Sequence, residues 1–307
     1  MKKNDFAFAG SAVRVLENSL LPPSFFEALE ESGRAEAARL LSDQGMEAFS
    51  GQPSQDEAEE ILAERLQRQY EELSSLLDEK KALDFLIVEN DFHNLKAALL
   101  SVVLKKDAEA YFLTPSVLDP AEIGEAVKEK KWDALPPFLS EAAKEGYEIL
   151  TSGMDSARLR WYLDARAAET VIAFAKKTGS GTALELAKKE ADLKNYKAAG
   201  TLASFENARQ AWIDCAFAEG GNTPAQAWKE AVAKKDREAI DSFFPGEGGA
   251  KEREEAFADF CREEWKKASQ TILTPDAVFA YFAARKSEKT RIGYLWALSE
   301  FSDGEGR

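Results

Sequence analysis

The chain has 307 residues, and 45% of them are apolar, so it can bury more than one hydrophobic core and is not a disordered chain. It carries 55 acidic residues against 40 lysines and arginines, for a formal net charge of −15. This balance argues against nucleic acid and against direct docking on anionic lipid, since both need basic patches. It allows a partner with a basic surface, although an acidic charge that serves only solubility explains it equally well.

Histidine and cysteine are scarce, which limits the kinds of catalytic and metal-binding sites that the chain can form. His93 is the only histidine, and Cys215 and Cys261 are the only cysteines. Two cysteines without framework spacing are typical of a reducing cytosol. The start does not have the pattern of a signal peptide, and the longest uncharged apolar run, residues 97–104, is far shorter than the roughly 20 residues of a membrane span. We therefore expect no membrane-crossing segment.

Long stretches free of glycine and proline predict long helices. Residues 54–114 contain neither, and apolar residues recur there at spacings of three and four, first from Ile61 to Leu77 and then from Leu83 to Val103. Further runs cover residues 154–178, 182–199, 201–219, 250–274 and 276–292. No segment alternates convincingly with the period of two that a strand shows. The sequence predicts an all-α fold.

Proline-marked segments separate the long helices and resemble one another. Pro22-Pro23, Thr114-Pro115 and Thr223-Pro224 each precede a short stretch that predicts a helical hairpin, and they lie about 100 residues apart. A threonine before a proline predicts an N-cap with the proline in the first helical position. Thr274-Pro275 is a further helix start of this kind.

One short motif, Asp-x-x-Asn-x-Lys-Ala-Ala, occurs twice, again about 100 residues apart. Its polar members are Asp91, Asn94 and Lys96 in the first copy and Asp192, Asn195 and Lys197 in the second. A weaker third copy covers residues 288–292. The acid and the residue three positions on share one helix face. On a helix otherwise rich in Leu and Ala, such a pair predicts a hydrogen-bond network to a neighbouring segment, with direct contact to a partner as the alternative.

The shared period predicts one helical unit used three times. The approximate repeats are residues 1–110, 111–210 and 211–307, and helices are open to exchange between them. The tail, residues 303–307, is the one low-complexity segment that we identify.

The sequence contains no catalytic signature. The glycine-bearing residues 177–182 lack the lysine and the preceding strand of a phosphate-binding loop, so they predict a turn between helices with Thr182 as N-cap. Cys215 and Cys261 lie in apolar helical patterns and are read as buried small hydrophobes. The counterpart of His93 in the second motif is Lys194, which predicts a solvated position. Paired carboxylates occur throughout, so an enzyme that uses them is the weakest hypothesis.

Several ordered blocks of the sequence resemble one family. Residues 6–17 read Phe-Ala-Phe-Ala-Gly-Ser-Ala-Val-Arg-Val-Leu-Glu, residues 38–45 read Ala-Arg-Leu-Leu-Ser-Asp-Gln-Gly, and residues 281–288 read Tyr-Phe-Ala-Ala-Arg-Lys-Ser-Glu. Together with the two Asp-x-x-Asn-x-Lys helices, they are similar in order and spacing to the C subunits of the V-type (archaeal-type) ATP synthases, whose eukaryotic relative is known as the d subunit. Arg291-Ile292-Gly293 departs from the Asn-Ile-Arg that this family usually carries before one more basic helix.

The resemblance implies three similar helical domains around a pseudo-threefold axis, which form a funnel. Its wide side would receive the tip of the central stalk, and its other side would sit on the cytoplasmic loops of the membrane proteolipid ring. The implied protein is a non-catalytic, peripheral rotor subunit on the cytoplasmic side, which couples the central stalk to the ring in ATP-driven or ATP-producing transport of protons or sodium. The resemblance implies no cofactor, no metal and no lipid anchor.

The motif and the resemblance together give a set of candidate partner-contact residues. They are Asp91, Asn94, Lys96, Asp192, Asn195, Lys197, Arg285 and Glu288. An α-helical repeat scaffold that binds a soluble protein partner is the alternative function.

Overall fold

The computed structural model describes residues 3–77, 79, 81–271 and 274–302, so the predicted tail lies outside the described residues. Within those ranges every regular element is a helix, which confirms the all-α class. The α-helices are α1 (Lys3–Leu16), α2 (Pro23–Glu30), α3 (Arg34–Asp43), α4 (Gln55–Ser75), α5 (Val88–Leu104), α6 (Pro120–Glu129), α7 (Pro137–Gly153), α8 (Ser156–Lys177), α9 (Gly181–Ser204), α10 (Gln210–Cys215), α11 (Ala225–Ala233), α12 (Arg237–Phe243), α13 (Ala250–Ser269) and α14 (Asp276–Ser302).

The chain forms two compact units. The first joins its two ends, Met1–Lys80 and Ser269–Arg307, and the second is Lys81–Ala268. The division into repeats 1–110, 111–210 and 211–307, and their arrangement around a common axis, stay predictions.

In the first unit, the C-terminal helix α14 packs against α2, α3 and α4. Trp296 of α14 is fully buried and meets the ring of Phe49 edge to face, with 4.9 Å between centroids. The guanidinium of Arg34 lies 3.6 Å from the centroid of the Trp296 ring. This core is therefore made from both ends of the sequence.

In the second unit, α8 packs against α5, α7, α9 and α10, and α11 and α12 pack on α9. Trp228 of α11 is fully buried, as are Tyr196 and Phe217 near it, and its ring meets Phe243 at 5.0 Å between centroids. The helices α5, α8 and α9 thus form the frame on which the shorter helices lie.

The long predicted helices occur close to their expected places, with two differences. The predicted helix over residues 201–219 is wrong, because α9 continues to Ser204 and only Gln210–Cys215 forms a separate helix. α14 runs through Gly293 instead of ending near Ile292. A Cβ at Gly293 would meet only the carboxylate of Glu59 on α4, which is the end of a flexible side chain that can move aside.

Three of the threonines predicted as N-caps, Thr114, Thr182 and Thr223, do not cap helices. Helix α6 begins after Asp119, whose carboxylate accepts a hydrogen bond from the N–H of Ala121 at 2.9 Å. In the turn before α9, Ser180 is the cap in place of Thr182, and its Oγ accepts from the N–H of Ala183 at 2.9 Å. The predicted helix-to-helix turn is confirmed, but its cap lies two positions earlier.

Candidate functional site: three helix clamps and a basic cleft

The first polar pair of the motif holds the chain segment that precedes α6. Asn94 makes two hydrogen bonds to Leu113: its Oδ1 accepts from the N–H at 2.7 Å, and its Nδ2 donates to the C=O at 2.9 Å. One turn earlier on α5, the carboxylate of Asp91 accepts from the N–H groups of Val117 and Leu118, both at 2.9 Å. Both side chains are fully buried. We call this arrangement the first clamp.

The second pair repeats this arrangement on α9, and we call it the second clamp. Asn195 accepts from the N–H of Ala218 at 2.8 Å and donates to its C=O at 3.0 Å. The carboxylate of Asp192 accepts from the N–H groups of Asn222 at 2.8 Å and Thr223 at 3.1 Å. The segments held by both clamps run between helices, where buried backbone groups need side-chain partners. The predicted hydrogen-bond network is confirmed in both copies.

The third clamp uses an ion pair on α14 to hold the segment before α2. Oε1 of Glu288 accepts from the N–H of Leu21 at 2.6 Å, and Arg285 donates to Oγ of Ser19. Arg285 also donates to Oε2 of Glu288 at 2.6 Å and to the hydroxyl of Tyr281 at 2.8 Å. In this third copy of the motif, Glu288 therefore pairs with Arg285, three residues earlier, and not with the residue three positions later.

Burial sets the protonation behaviour of the clamp residues. It raises the pKa of Asp91 to about 6, although the two backbone N–H donors favour the carboxylate and oppose this rise. Burial also raises the pKa of Asp192 against its N–H donors. Burial of Arg285 opposes its charge, but the carboxylate of Glu288 and the hydroxyl of Tyr281 keep its pKa above the usual value.

These contacts divide the eight candidate residues into two groups. Six of them form the clamps inside their own units: Asp91, Asn94, Asp192, Asn195, Arg285 and Glu288. Lys197 is exposed and Lys96 is half-buried, so these two lysines are accessible to a partner. A role in partner contact stays a prediction for all eight.

Both lysines line one cleft of about 550 Å³ between α5, α8 and α9, which we call the basic cleft. The two motif copies contribute equivalent positions, His93 and Lys194 as the first pair and Lys96 and Lys197 as the second. Helix α8 adds Arg160. Besides these basic groups, the charged lining residues are Glu89 and Asp164.

The cations of the basic cleft differ in their pairing. Lys194 forms ion pairs with Glu89 and Glu190, and Lys197 lies 2.7 Å from Oε2 of Glu254. Across the part of the chain that the structure describes, no carboxylate lies within ion-pair distance of Lys96 or Arg160.

Two side chains of the basic cleft have surroundings that the sequence did not predict. The guanidinium of Arg160 lies 4.4 Å from the centroid of the Trp161 ring. His93 is half-buried rather than solvated, with Nε2 3.1 Å from the C=O of Tyr111. Burial lowers the pKa of His93, and the positive charge of Lys96 lowers it further.

Sequence reasoning missed Arg160 as a member of the site. The available signal was an arginine beside a tryptophan on a helix that lies, in sequence, between the two motif copies. Arg160 belongs to no repeated motif, so spacing alone could not connect it to Lys96 and Lys197. The packing of α8 against both α5 and α9 brings it there.

The remaining sequence candidates have ordinary environments. Cys215 and Cys261 are half-buried, and burial raises the pKa of both thiols, to about 12 for Cys261. Among the described residues, no group of three or more His, Cys, Asp or Glu is positioned to hold a metal ion. None of the helices described combines the length and the apolar character that crossing a membrane requires.

Comparison with known proteins identifies the family. The model of the ATP synthase (C/AC39) subunit family matches residues 10–294. The V-type ATP synthase C subunits of two Thermus thermophilus strains are each 26% identical to this chain, over 95% of the chain and 93% of the relative. The matched range includes all three clamps and the basic cleft. The chain therefore belongs to the ATP synthase (C/AC39) subunit family of rotary ATPase subunits.

Proposed function

We propose that the chain is a non-catalytic rotor subunit that couples the central stalk of a V-type ATP synthase or ATPase to the membrane proteolipid ring. In this role it would be peripheral, on the cytoplasmic side, and its partners would be the central-stalk subunits and the ring. The observation that carries the proposal is the family match over residues 10–294. The Thermus thermophilus relatives, which are V-type ATP synthase C subunits, match over nearly their full length, and this supports a subunit role for the whole chain.

The clamps support a mechanical task. A subunit that passes torque between partners must resist local opening, and segments with few buried hydrogen bonds open first. In this chain, the segments before α2, α6 and α11 are each attached to a long helix by two side chains one turn apart. Such double attachment makes the hairpin helices move together with α5, α9 and α14.

Co-purification tests the assignment directly. A tagged full-length chain is expressed together with the central-stalk subunits and the proteolipid ring of the same organism, and membranes are solubilised in mild detergent. We expect the chain to retain both the stalk and the ring, and cross-linking then identifies the contact residues. Failure to bind either partner would favour the alternative of a scaffold for a soluble protein. ATP hydrolysis by the isolated chain would contradict a non-catalytic role.

Charge reversal tests which surface makes the contact. Lys96 and Lys197 are the candidate residues left accessible, so we propose that Lys96→Glu combined with Lys197→Glu weakens attachment to the stalk or the ring. Lys176→Glu together with Lys234→Glu changes the net charge equally at exposed positions of the same unit. If the first double variant folds and remains attached as firmly as this control, the two lysines are not contact residues.

A further inference from the structure

We propose that the basic cleft binds a small polyvalent anion, one that carries two or more phosphate or carboxylate groups. The proposal is independent of the rotor role, because it concerns a ligand of the isolated chain. It depends on the cations that face the cleft, on their pairing, and on the size and walls of the cleft.

More cations than carboxylates line the cleft, although the chain as a whole is acidic. The chain as a whole has a net charge of −15, but the cleft is lined by four permanent cations and only two carboxylates. The cations are Lys96, Arg160, Lys194 and Lys197, and the carboxylates are Glu89 and Asp164. A concave site lined mainly by one sign of charge concentrates ligands of the opposite sign.

The pairing pattern identifies the groups that would hold the ligand. Lys194 and Lys197 form ion pairs with Glu89 and Glu254, whereas no carboxylate among the described residues lies within ion-pair distance of Lys96 or Arg160. The carboxylate of Asp164, which also lines the cleft, acts on both of these cations at longer range. An arginine presents a planar fork of donors that suits phosphate and carboxylate, and a lysine adds a mobile point charge. The stacking of Arg160 on Trp161 restricts the guanidinium and reduces the ordering cost of binding.

The dimensions and walls of the cleft favour a small molecule over a protein segment. Its volume of about 550 Å³ lies within the roughly 300–1,000 Å³ that is typical of small-ligand sites. Phe92 and Trp161, both buried, form part of the wall together with Ala165 and Ala198. A stable protein interface usually buries about 800 Å² per partner over a flatter surface.

Calorimetric titration of the full-length isolated chain at low salt, with pyrophosphate and with citrate as probes, tests the proposal. We expect saturable binding of at least one probe. The variant Lys96→Ala with Arg160→Ala should lose at least about tenfold in affinity, since it removes two charge-assisted contacts to the anion. Lys176→Ala with Lys234→Ala removes two charges from exposed positions of the same unit and should bind as the unchanged chain does.

Folding of each variant is checked by circular dichroism and thermal melting. If the alanine variant does not fold, Lys96→Gln with Arg160→Gln keeps side-chain volume and polarity while removing the charge. Absence of binding for both probes, or equal affinity in the cleft variant and the control, would overturn the proposal.

Failure of the anion proposal and failure of the proposed rotor role give different experimental results. If the isolated chain binds neither probe but the cleft variant fails to retain the stalk or the ring, the cleft is a protein-docking surface and the anion proposal is wrong while the rotor role stands. If the chain binds an anion through Lys96 and Arg160 but retains neither partner, the anion site stands and the rotor role is wrong.

Discussion

Gly221 lies so close to Asp192 that a Cβ at position 221 would be 2.3 Å from Oδ1 of the carboxylate. Gly221→Ala should therefore displace the carboxylate and weaken its bonds to Asn222 and Thr223. We expect a loss of about 1–3 kcal/mol in the free energy of unfolding, measured by urea denaturation. Gly181→Ala at the start of α9 is the matched control, since a Cβ there meets nothing within 4 Å. Equal stability of the two variants would show that the clamp tolerates the displacement.

The two clamp asparagines should be equivalent in stability. Asn94→Ala and Asn195→Ala each leave the N–H and C=O of one residue of the held segment without their side-chain partner, at Leu113 and Ala218 respectively. We expect each to reduce the free energy of unfolding by about 1–3 kcal/mol. The exposed Asn207→Ala is the control in the same unit and should have little effect. A loss at one clamp only would contradict their functional equivalence.

Asp91 should make stability depend on pH in an unusual direction. Its folded-state pKa is raised by burial from 3.8 to about 6, so between these values the folded chain binds more protons than the unfolded chain. Stability from this group is therefore greatest below about pH 4 and declines as pH rises to about 6, by an amount on the order of 3 kcal/mol.

The measurement compares the unchanged chain with Asp91→Asn, which cannot ionise. From pH 4 to pH 6, the free energy of unfolding of the unchanged chain should fall relative to that of Asp91→Asn. Above pH 6 the difference between the two should stay constant. NMR titration of the Asp91 carboxyl gives the pKa independently. A difference that moves in the opposite direction would show that the backbone donors outweigh burial.

The ion pair of the third clamp should be costly to break from one side. Glu288→Ala leaves the buried guanidinium of Arg285 without its carboxylate and the N–H of Leu21 without its acceptor. Because an uncompensated buried charge is left behind, we expect a loss of about 3–5 kcal/mol. Glu36→Ala, which breaks the exposed pair with Arg39 on α3, is the control and should cause no measurable loss. Similar melting temperatures for both variants would contradict the clamp.

His93 should couple anion binding to pH. Burial and the charge of Lys96 lower its pKa in the free chain, and a bound anion would favour the imidazolium, so binding should tighten as pH falls from 8 to 6. The other titratable or charged groups that face the cleft are Glu89, Lys96, Arg160, Asp164, Lys194 and Lys197. His93→Asn should flatten the pH dependence of pyrophosphate affinity, measured by calorimetry. If the affinity of this variant depends on pH as strongly as that of the unchanged chain, a group other than His93 causes the dependence.

The sequence predicted the elements that depend on local pattern. The long helices follow from apolar residues at helical spacing. The Asp-x-x-Asn pairs predicted hydrogen bonds to a neighbouring segment, because polar residues on an apolar helix need partners. The identity of those partners could not be predicted, because Asp91 and Asp192 reach segments far along the chain whose positions depend on tertiary packing. The Thr-Pro caps failed for a related reason: the N–H of Thr223 is held by Asp192, and α11 begins only after Pro224.

The basic cleft was predictable only in part. Lys96 and Lys197 are visible as repeated motif members, but their presence in one cleft follows from the packing of α5 and α9 on α8. The sequence pattern correctly included Glu288 in the third clamp but paired it with the residue three positions later. The spacing could not separate the two choices, because Arg291 and Arg285 are both three residues from Glu288. Arg291 instead lies over the ring of Phe26, at 4.3 Å from its centroid.

The burial of Trp296 against Phe49 has a consequence for biosynthesis. A ribosome releases α2, α3 and α4 before the middle of the chain, yet the indole that completes their core emerges only with α14, after the middle of the chain. The middle of the chain, Lys81–Ala268, has all its own core residues before that moment and is able to fold first. The helices α2, α3 and α4 must therefore wait, incompletely packed, until α14 has been translated.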